Sequence, residues 1–238
     1  MKKGERLQTS SRVDTRGKKK FYIYLFRHGK TTYNEKGIFT GWKDAKLTPR
    51  GILNAKTVAK KLKNKRIDIA FQTELSRSKD TMKEVLKFHP ECEELITANR
   101  MIERSYGDLE GISHKKFIER IGKHALNLRL EGDALENLSS SDRKKAEKFF
   151  GEKEYKLIHR GWNSPPPNGE SFKMVEKRVK VFIKNLKKFI KKEKVNVAIS
   201  AHGNSIRLFR KIWEATTIEE AISWDIPYDR VYVYRIEI

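Results

Sequence analysis

"FYIYLFRHG", Phe21–Gly29, decides the fold. Six apolar or aromatic residues in a row, with no polar alternation, read as a strand buried on both faces, the kind that fills a parallel sheet between two helical layers. The run ends on Arg27 and His28, and a glycine follows. Ligands of open α/β sheets sit beyond the carboxyl ends of the strands, so a guanidinium and an imidazole at this place face a binding crevice. Three further runs read the same way: Ile67–Phe71 ("IDIAF"), Val195–Ser200 ("VNVAIS") and Val231–Ile236 ("VYVYRI").

Helical patterns fall between the strands. In "LTPRGILNAKTVAKKLK", Leu47–Lys63, Thr48 is an N-cap and Pro49 the first helical residue, with Ile52, Ala55, Val58, Ala59 and Leu62 on one face. Alternating strand and helix implies a three-layer α/β/α fold, a mostly parallel sheet with helices on both faces. No repeat or linker divides residues 21–238, which read as one catalytic domain. Between about residues 112 and 168 the strand pattern lapses and "NLSSSDRKK" and "NSPPPNGES" occur, so this part reads as an insertion of helices and loops over one edge of the sheet.

A second histidine repeats the first arrangement. "VNVAISAHGNSIRLF" runs strand, His202, Gly203, helix. The glycine permits close backbone approach, and the N–H groups opening the helix form an anion site. One His-Gly after a strand is usually a turn with a hydrogen-bonded histidine; two at equivalent strand ends point to a shared polar pocket. The six histidines, at 28, 89, 114, 124, 159 and 202, show no HxxxH spacing and the single Cys92 has no partner, so no metal is expected.

Composition sets the outer bounds. The 238 residues are 37% hydrophobic, enough for a substantial core, and carry 53 Lys and Arg against 31 Asp and Glu, a net charge of +22. Such charge suits small phosphorylated metabolites as well as polyanions. Residues 1–20 hold eight basic and two acidic residues and little that is apolar, and are expected to be a disordered basic arm. Lys173–Lys194 holds ten basic and two acidic residues, but Phe172, Val175, Val179, Phe182, Ile183, Leu186, Phe189 and Ile190 recur at helical spacing, so its lysines are the wet face of an amphipathic helix. With one cysteine, no signal-like run and no long apolar stretch, a cytoplasmic location without membrane contact is expected.

"LFRHGKTTYN", "GIFTGWKDAKLTPRG", "TELSRSKDT", "ERSYGDLEG" and "SAHGNSIR", in that order, resemble the histidine phosphatase superfamily, and in particular its cofactor-dependent phosphoglycerate mutase branch. The resemblance covers most of residues 21–236. It implies phosphoryl transfer through a phosphohistidine, without metal, primed by 2,3-bisphosphoglycerate. His28 is then the nucleophile, as a neutral imidazole. Arg27, Arg77 and His202 surround the phosphoryl oxygens, and Glu103 in "MIERSYG", after the strand-like "LITANRM", is the general acid and base. Taken alone, Glu103 reads as a surface glutamate in a turn.

The resemblance also implies substrate contacts at Asn34, Thr40, Gly41, Tyr106, Gly203 and Asn204. Near "LIHRGWNSPPP" it places Arg160 on the second of two family arginines and His159 in place of the first. The family has a lysine where this chain has His114; Lys115 is adjacent and is counted as a substrate contact, with the choice between His114 and Lys115 open to a one-residue shift of the loop. Lys30 stands where the mutases have glutamate, "PPPNGESF" is short, and "IPYDRVYVY" lacks their threonine-glycine pair. These departures surround the acceptor pocket. Two enzymes therefore compete, a mutase of 3- and 2-phosphoglycerate and a phosphatase of small monoesters. A nucleic-acid-binding module ranks below both, since no such motif is present and the basic residues lie along helices. The oligomeric state stays open, with a homo-oligomer compatible.

Overall fold

The computed structural model describes residues 19–129 and 138–238; most of the basic arm lies outside them. Strand β1 spans Lys20–Arg27, β2 Ile69–Gln72, β3 Glu94–Thr97, β4 Val197–Ala201 and β5 Val231–Glu237. They form one sheet in the order β3-β2-β4-β1-β5. All pairings are parallel except β1 with β5, which runs antiparallel with Ile23 opposite Tyr234. The four expected strands are present, and the fold is the expected mostly parallel α/β sheet. The strand-like start of "LITANRM" falls in β3, an edge strand whose side chains are mostly exposed, so it carries no long apolar run.

Burial on both faces explains the unbroken apolar strands. Ile23 and Leu25 of β1 pack into one cluster with Val197 and Ile199 of β4, while Tyr24 and Phe26 point into a second with Ala70 and Ala198. Helices α2 (Pro49–Leu62) and α3 (Ser76–Leu86) cover the second face. The expected cap of α2 is present, with the Thr48 hydroxyl accepting from the Gly51 N–H at 3.0 Å. Helices α6 (Phe172–Glu193) and α7 (Gly203–Glu214) cover the first face. In α6 Phe172, Val175, Val179, Phe182, Ile183, Leu186 and Ile190 are buried and the lysines lie outside, as the spacing requires. A short α1 (Thr32–Glu35) follows β1, and α8 (Ile218–Ser223) precedes β5.

Among the described residues, the segment after Ile112 holds two long helices, α4 (His114–Asn127) and α5 (Ser140–Arg160). They cross at two glycines. A Cβ on Gly122 would sit 2.0 Å from the Glu147 carbonyl oxygen, and one on Gly151 would sit 2.1 Å from that of Ile118. Only glycine permits this approach. The pair packs Phe117, Ile118, Tyr155 and Ile158 around Phe39 and Tyr106, both of which also line the crevice beyond the strands. The insertion is thereby a wall of the site. No described helix is long and apolar enough to cross a membrane.

Candidate active site

The crevice beyond β1 and β4 encloses a cavity of about 150 Å³. Arg27, His28, Asn34, Thr40, Gly41, Arg77, Glu103, Tyr106, His159, Arg160, Gly203 and Asn204 line it. Elements far apart in sequence thus supply one small, polar, strongly cationic space.

His28 follows the last residue of β1 and is 2% exposed. Its backbone N–H donates to the Ala201 carbonyl at 3.0 Å, which locks it to the end of β4. Its Nδ1 lies 2.8 Å from the Gly29 carbonyl oxygen. A carbonyl only accepts, so Nδ1 carries the proton and the Nε2 lone pair is free. Burial pushes the imidazole well below the ordinary histidine range, Arg77 and Arg27 push it further, and only the Gly29 bond opposes them. At neutral pH the ring is an uncharged imidazole, with a free nitrogen lone pair, beside two guanidinium groups.

Those guanidinium groups are fixed by backbone carbonyls. Arg77, on the first turn of α3 and 1% exposed, donates to the Gly41 carbonyl at 2.7 Å and to that of Lys43 at 2.9 Å. Arg27 donates to the Ile226 carbonyl at 2.8 Å and stacks on Tyr228, 4.0 Å from the ring centre. Its Nε is buried without a partner. Gly203 opens α7 against Arg27; a Cβ there would lie 3.3 Å from the guanidinium carbon.

His202 is fully buried beside His28, ring centres 5.0 Å apart, with Nε2 2.8 Å from the Thr73 hydroxyl. Burial holds it well below the usual range, with Arg77 the next cause. It is not among the residues that line the cavity, whereas the resemblance sets it around the phosphoryl oxygens, and its Nδ1 is buried without a partner. Glu103 is buried, and its Oε1 accepts from the Arg104 N–H at 2.8 Å and the Asn204 N–H at 3.2 Å. The solvated turn glutamate that the isolated sequence suggests is therefore replaced by a carboxylate held on two backbone donors.

The opposite wall is aromatic. His159 lies nearly parallel to Tyr155 at 5.0 Å and to Tyr106 at 6.2 Å, and its Nδ1 is 3.3 Å from the Tyr106 hydroxyl. Burial, then Arg160, Arg104, His114 and Arg207, push it down to about 2. It is neutral, so it does not supply the charge of the arginine it replaces. Arg160, next along the chain, reaches the cavity as a cation. Asn34 accepts from the Thr31 N–H and hydroxyl through its Oδ1, which leaves its amide N–H groups for the cavity.

Lys115 does not line the cavity. Ser113 caps α4, accepting from the Lys116 N–H, and successive helical residues diverge by about 100°. His114 therefore turns onto Phe39, 4.5 Å between ring centres, and lines the cavity, while the Lys115 side chain is 87% exposed and 4.0 Å from Glu119. Sequence reasoning also gave no role to Arg207, which lines the cavity and donates to the Asn204 Oδ1 at 2.6 Å. The signal was its place one turn after Asn204 on α7. Burial, then Arg160, lowers it to about 10, still a cation at neutral pH, and its Nε has no partner. Among the described residues no cluster of three or more histidine, cysteine, aspartate or glutamate side chains could hold a metal ion.

A neutral strand-end histidine flanked by guanidinium groups, a second histidine at the neighbouring strand end and a buried carboxylate define a cationic, anion-binding site at the strand ends of an α/β sheet. The chain belongs to the histidine phosphatase superfamily (branch 1), whose family model matches residues 23–137 and 136–238. Among its relatives, the 2,3-bisphosphoglycerate-dependent phosphoglycerate mutase of Chlamydia caviae is 33% identical over 219 residues, 90% of this chain and 92% of that protein. Two solved structures share the fold. The alpha-ribazole phosphatase of Shigella flexneri superposes with a TM-score of 0.67 at 21% identity, covering 90% of this chain and 89% of that one. The phosphoglycerate mutase of Bacillus anthracis superposes with a TM-score of 0.63 at 19% identity, covering 93% and 89%.

Proposed function

We propose that this chain is a 2,3-bisphosphoglycerate-dependent phosphoglycerate mutase, interconverting 3- and 2-phosphoglycerate through a phosphohistidine at His28. The observation that carries the reading is a single small cavity holding the neutral His28, the buried Glu103 and, on the wall built by the insertion, Arg160. A phosphatase needs the first two. A mutase also needs a cation that keeps the doubly phosphorylated intermediate in place while it reorients. Curated relatives that carry the mutase name over 90% of this chain support it.

The residues present fit an anionic primer, since buried Nε–H donors of Arg27 and Arg207 lack protein partners. Arg27 and Arg77 would hold one phosphoryl group and Arg160 and Arg207 the other end; the primer supplies the phosphoryl group that charges the enzyme. The chain's own part is then as follows. His28 Nε2 forms a bond to phosphorus as the ester oxygen departs, and Glu103 gives that oxygen its proton. Arg27, Arg77 and the α7 N-terminus donate to the equatorial oxygens, replacing the charge that a metal supplies in other phosphoryl-transfer sites. In the return step Glu103 takes the proton of the attacking hydroxyl.

A phosphatase is the second reading. It is favoured by the neutral His114 and His159 on the far wall, which leave fewer fixed cations to retain an intermediate, and by the shared fold of the alpha-ribazole phosphatase. The test is to supply 3-phosphoglycerate with catalytic 2,3-bisphosphoglycerate and follow 2-phosphoglycerate and inorganic phosphate together. Isomerisation much faster than phosphate release is expected. Phosphate release from several monoesters without isomerisation, even when primed, would replace the mutase with the phosphatase.

A further inference from the structure

Glu103 sits in an irregular segment between β3 and α4, with no strand or long helix to fix it. Two charged residues from elsewhere do so. Arg178, in the second turn of α6, points its guanidinium at this segment, and all five of its N–H donors are used. Its Nη1 donates to the carbonyls of Arg100 and Ile102, both at 2.8 Å. Its Nη2 donates to the Glu103 carbonyl at 3.0 Å and to Glu170 Oε2 at 2.9 Å, and its Nε donates to Glu170 Oε1 at 2.9 Å. Glu170 then accepts from the Ser105 N–H at 3.0 Å through Oε2, and its own N–H donates to the Ser105 carbonyl.

The pair therefore brackets residues 100–105 from both sides of Glu103. Trp42 adds a second donor to the Glu103 carbonyl, at 2.8 Å. Neither Arg178 nor Glu170 lines the cavity. Both are mostly shielded, 18% and 14% exposed, so the bidentate pair is protected from solvent competition. An ion pair that needed only to hold α6 could engage any exposed carboxylate. This one spends three donors on consecutive-segment carbonyls around one buried acid.

We infer that Arg178, with Glu170, is a positioning residue that fixes the backbone of Glu103 so that its carboxyl can protonate the departing ester oxygen. The inference rests on the reading of Glu103 as general acid given above. In the step concerned, Nε2 of His28 bonds to phosphorus, the P–O ester bond breaks with its electron pair going to oxygen, and that oxygen takes the proton from Glu103. The demand for the proton depends on the leaving group. An alkoxide needs it. Phosphoramidate, whose nitrogen is already protonated, leaves as ammonia and does not.

Rates of His28 phosphorylation in quenched single-turnover mixtures separate positioning from general damage. The two donors are phosphoramidate and an alkyl ester, 3-phosphoglycerate or glycerol 3-phosphate, whichever wild type uses faster. Arg178→Lys keeps the charge but cannot reproduce the planar fork, and Arg178→Met removes both. Both variants should lose about 30- to 300-fold with the alkyl ester, near the lower end of what general acid catalysis usually contributes, and less than about threefold with phosphoramidate. Glu170→Gln should show a smaller loss of the same selectivity. Equal losses with both donors in the Arg178 variants, or none with either, would overturn the inference. Should Glu103→Gln itself show no preference for phosphoramidate, the general-acid reading fails instead, whatever Arg178 does. Retained phosphoramidate labelling shows that each variant is folded.

Discussion

The two ends of the cavity are built in different ways. The end around His28 is made of strand ends and helix starts, held by backbone bonds: His28 N–H on Ala201, Arg77 on Gly41 and Lys43, Arg27 on Ile226. The far end is built largely of side chains on the inserted helices, with His114, Tyr155 and His159 packed around Phe39 and Tyr106, and among the described residues of the insertion Arg160 is the one arginine or lysine that lines the cavity. The first arrangement holds His28 and two guanidinium groups in fixed positions. The second can be rebuilt by changing a few side chains, and on the proposed reading the first end exchanges the phosphoryl group while the second decides what becomes of it.

The comparison predicts a large effect at the first end. His28→Asn should lower turnover of every phosphomonoester by about 10⁴-fold or more, because no neighbouring group replaces an imidazole nucleophile. Thermal unfolding should show the variant folded. Turnover that persists within tenfold of wild type would remove His28 from the mechanism.

At the far end the effect should be smaller and selective. Arg160→Ala should weaken primed isomerisation by about 1.5–3 kcal/mol, the usual worth of a charge-assisted hydrogen bond. Hydrolysis of a small monoester, measured beside it, should change little. An equal fall in both would erase the proposed division between the two ends.

What could be read from sequence follows the same division. The central strands are buried on both faces, so their apolar runs are unbroken, and the motifs that end them carry His28, Arg27 and His202 in fixed register. The Thr48 cap belongs to a local helix start and was equally legible, whereas Arg77 opens a helix without a side-chain cap and was placed only by the resemblance. The edge strand Glu94–Thr97 has little buried surface and left only a faint pattern. Tyr106 and His159 meet across 53 positions, and Arg178 reaches Glu103 across 75, pairings that no local period encodes. Lys115 shows the cost of a one-residue slip on a helix: a shift of about 100° exchanges a cavity residue for a solvated one.

The neutral histidines of the far wall give a pH test. His159 is pushed to about 2 in the folded chain, below the ordinary histidine value, so the folded state resists a proton that the unfolded state accepts. Stability is therefore full above about pH 6.5 and lost as pH falls below it, by up to about 1.4 kcal/mol per pH unit for each such histidine. Between pH 6.5 and 5, His159→Asn should make the denaturation free energy less steep by about one proton. An unchanged slope would mean that His159 is charged in the fold.

The smallest effect should come from Lys115→Ala, since its side chain is solvated on the outer face of α4. Isomerisation and hydrolysis should both stay within about twofold of wild type, as for most surface substitutions. A tenfold loss would return Lys115 to the far end of the site.

The central claim is that His28 takes up the phosphoryl group and hands it back within this cavity. Incubating the protein with 2,3-bisphosphoglycerate labelled in its phosphoryl groups, quenching in alkali and mapping the label by peptide tests it most directly. Stoichiometric, acid-labile and alkali-stable phosphate on the peptide containing His28, absent in His28→Asn, is the result expected. Label on His202, or turnover with no labelled histidine at any time, would contradict it.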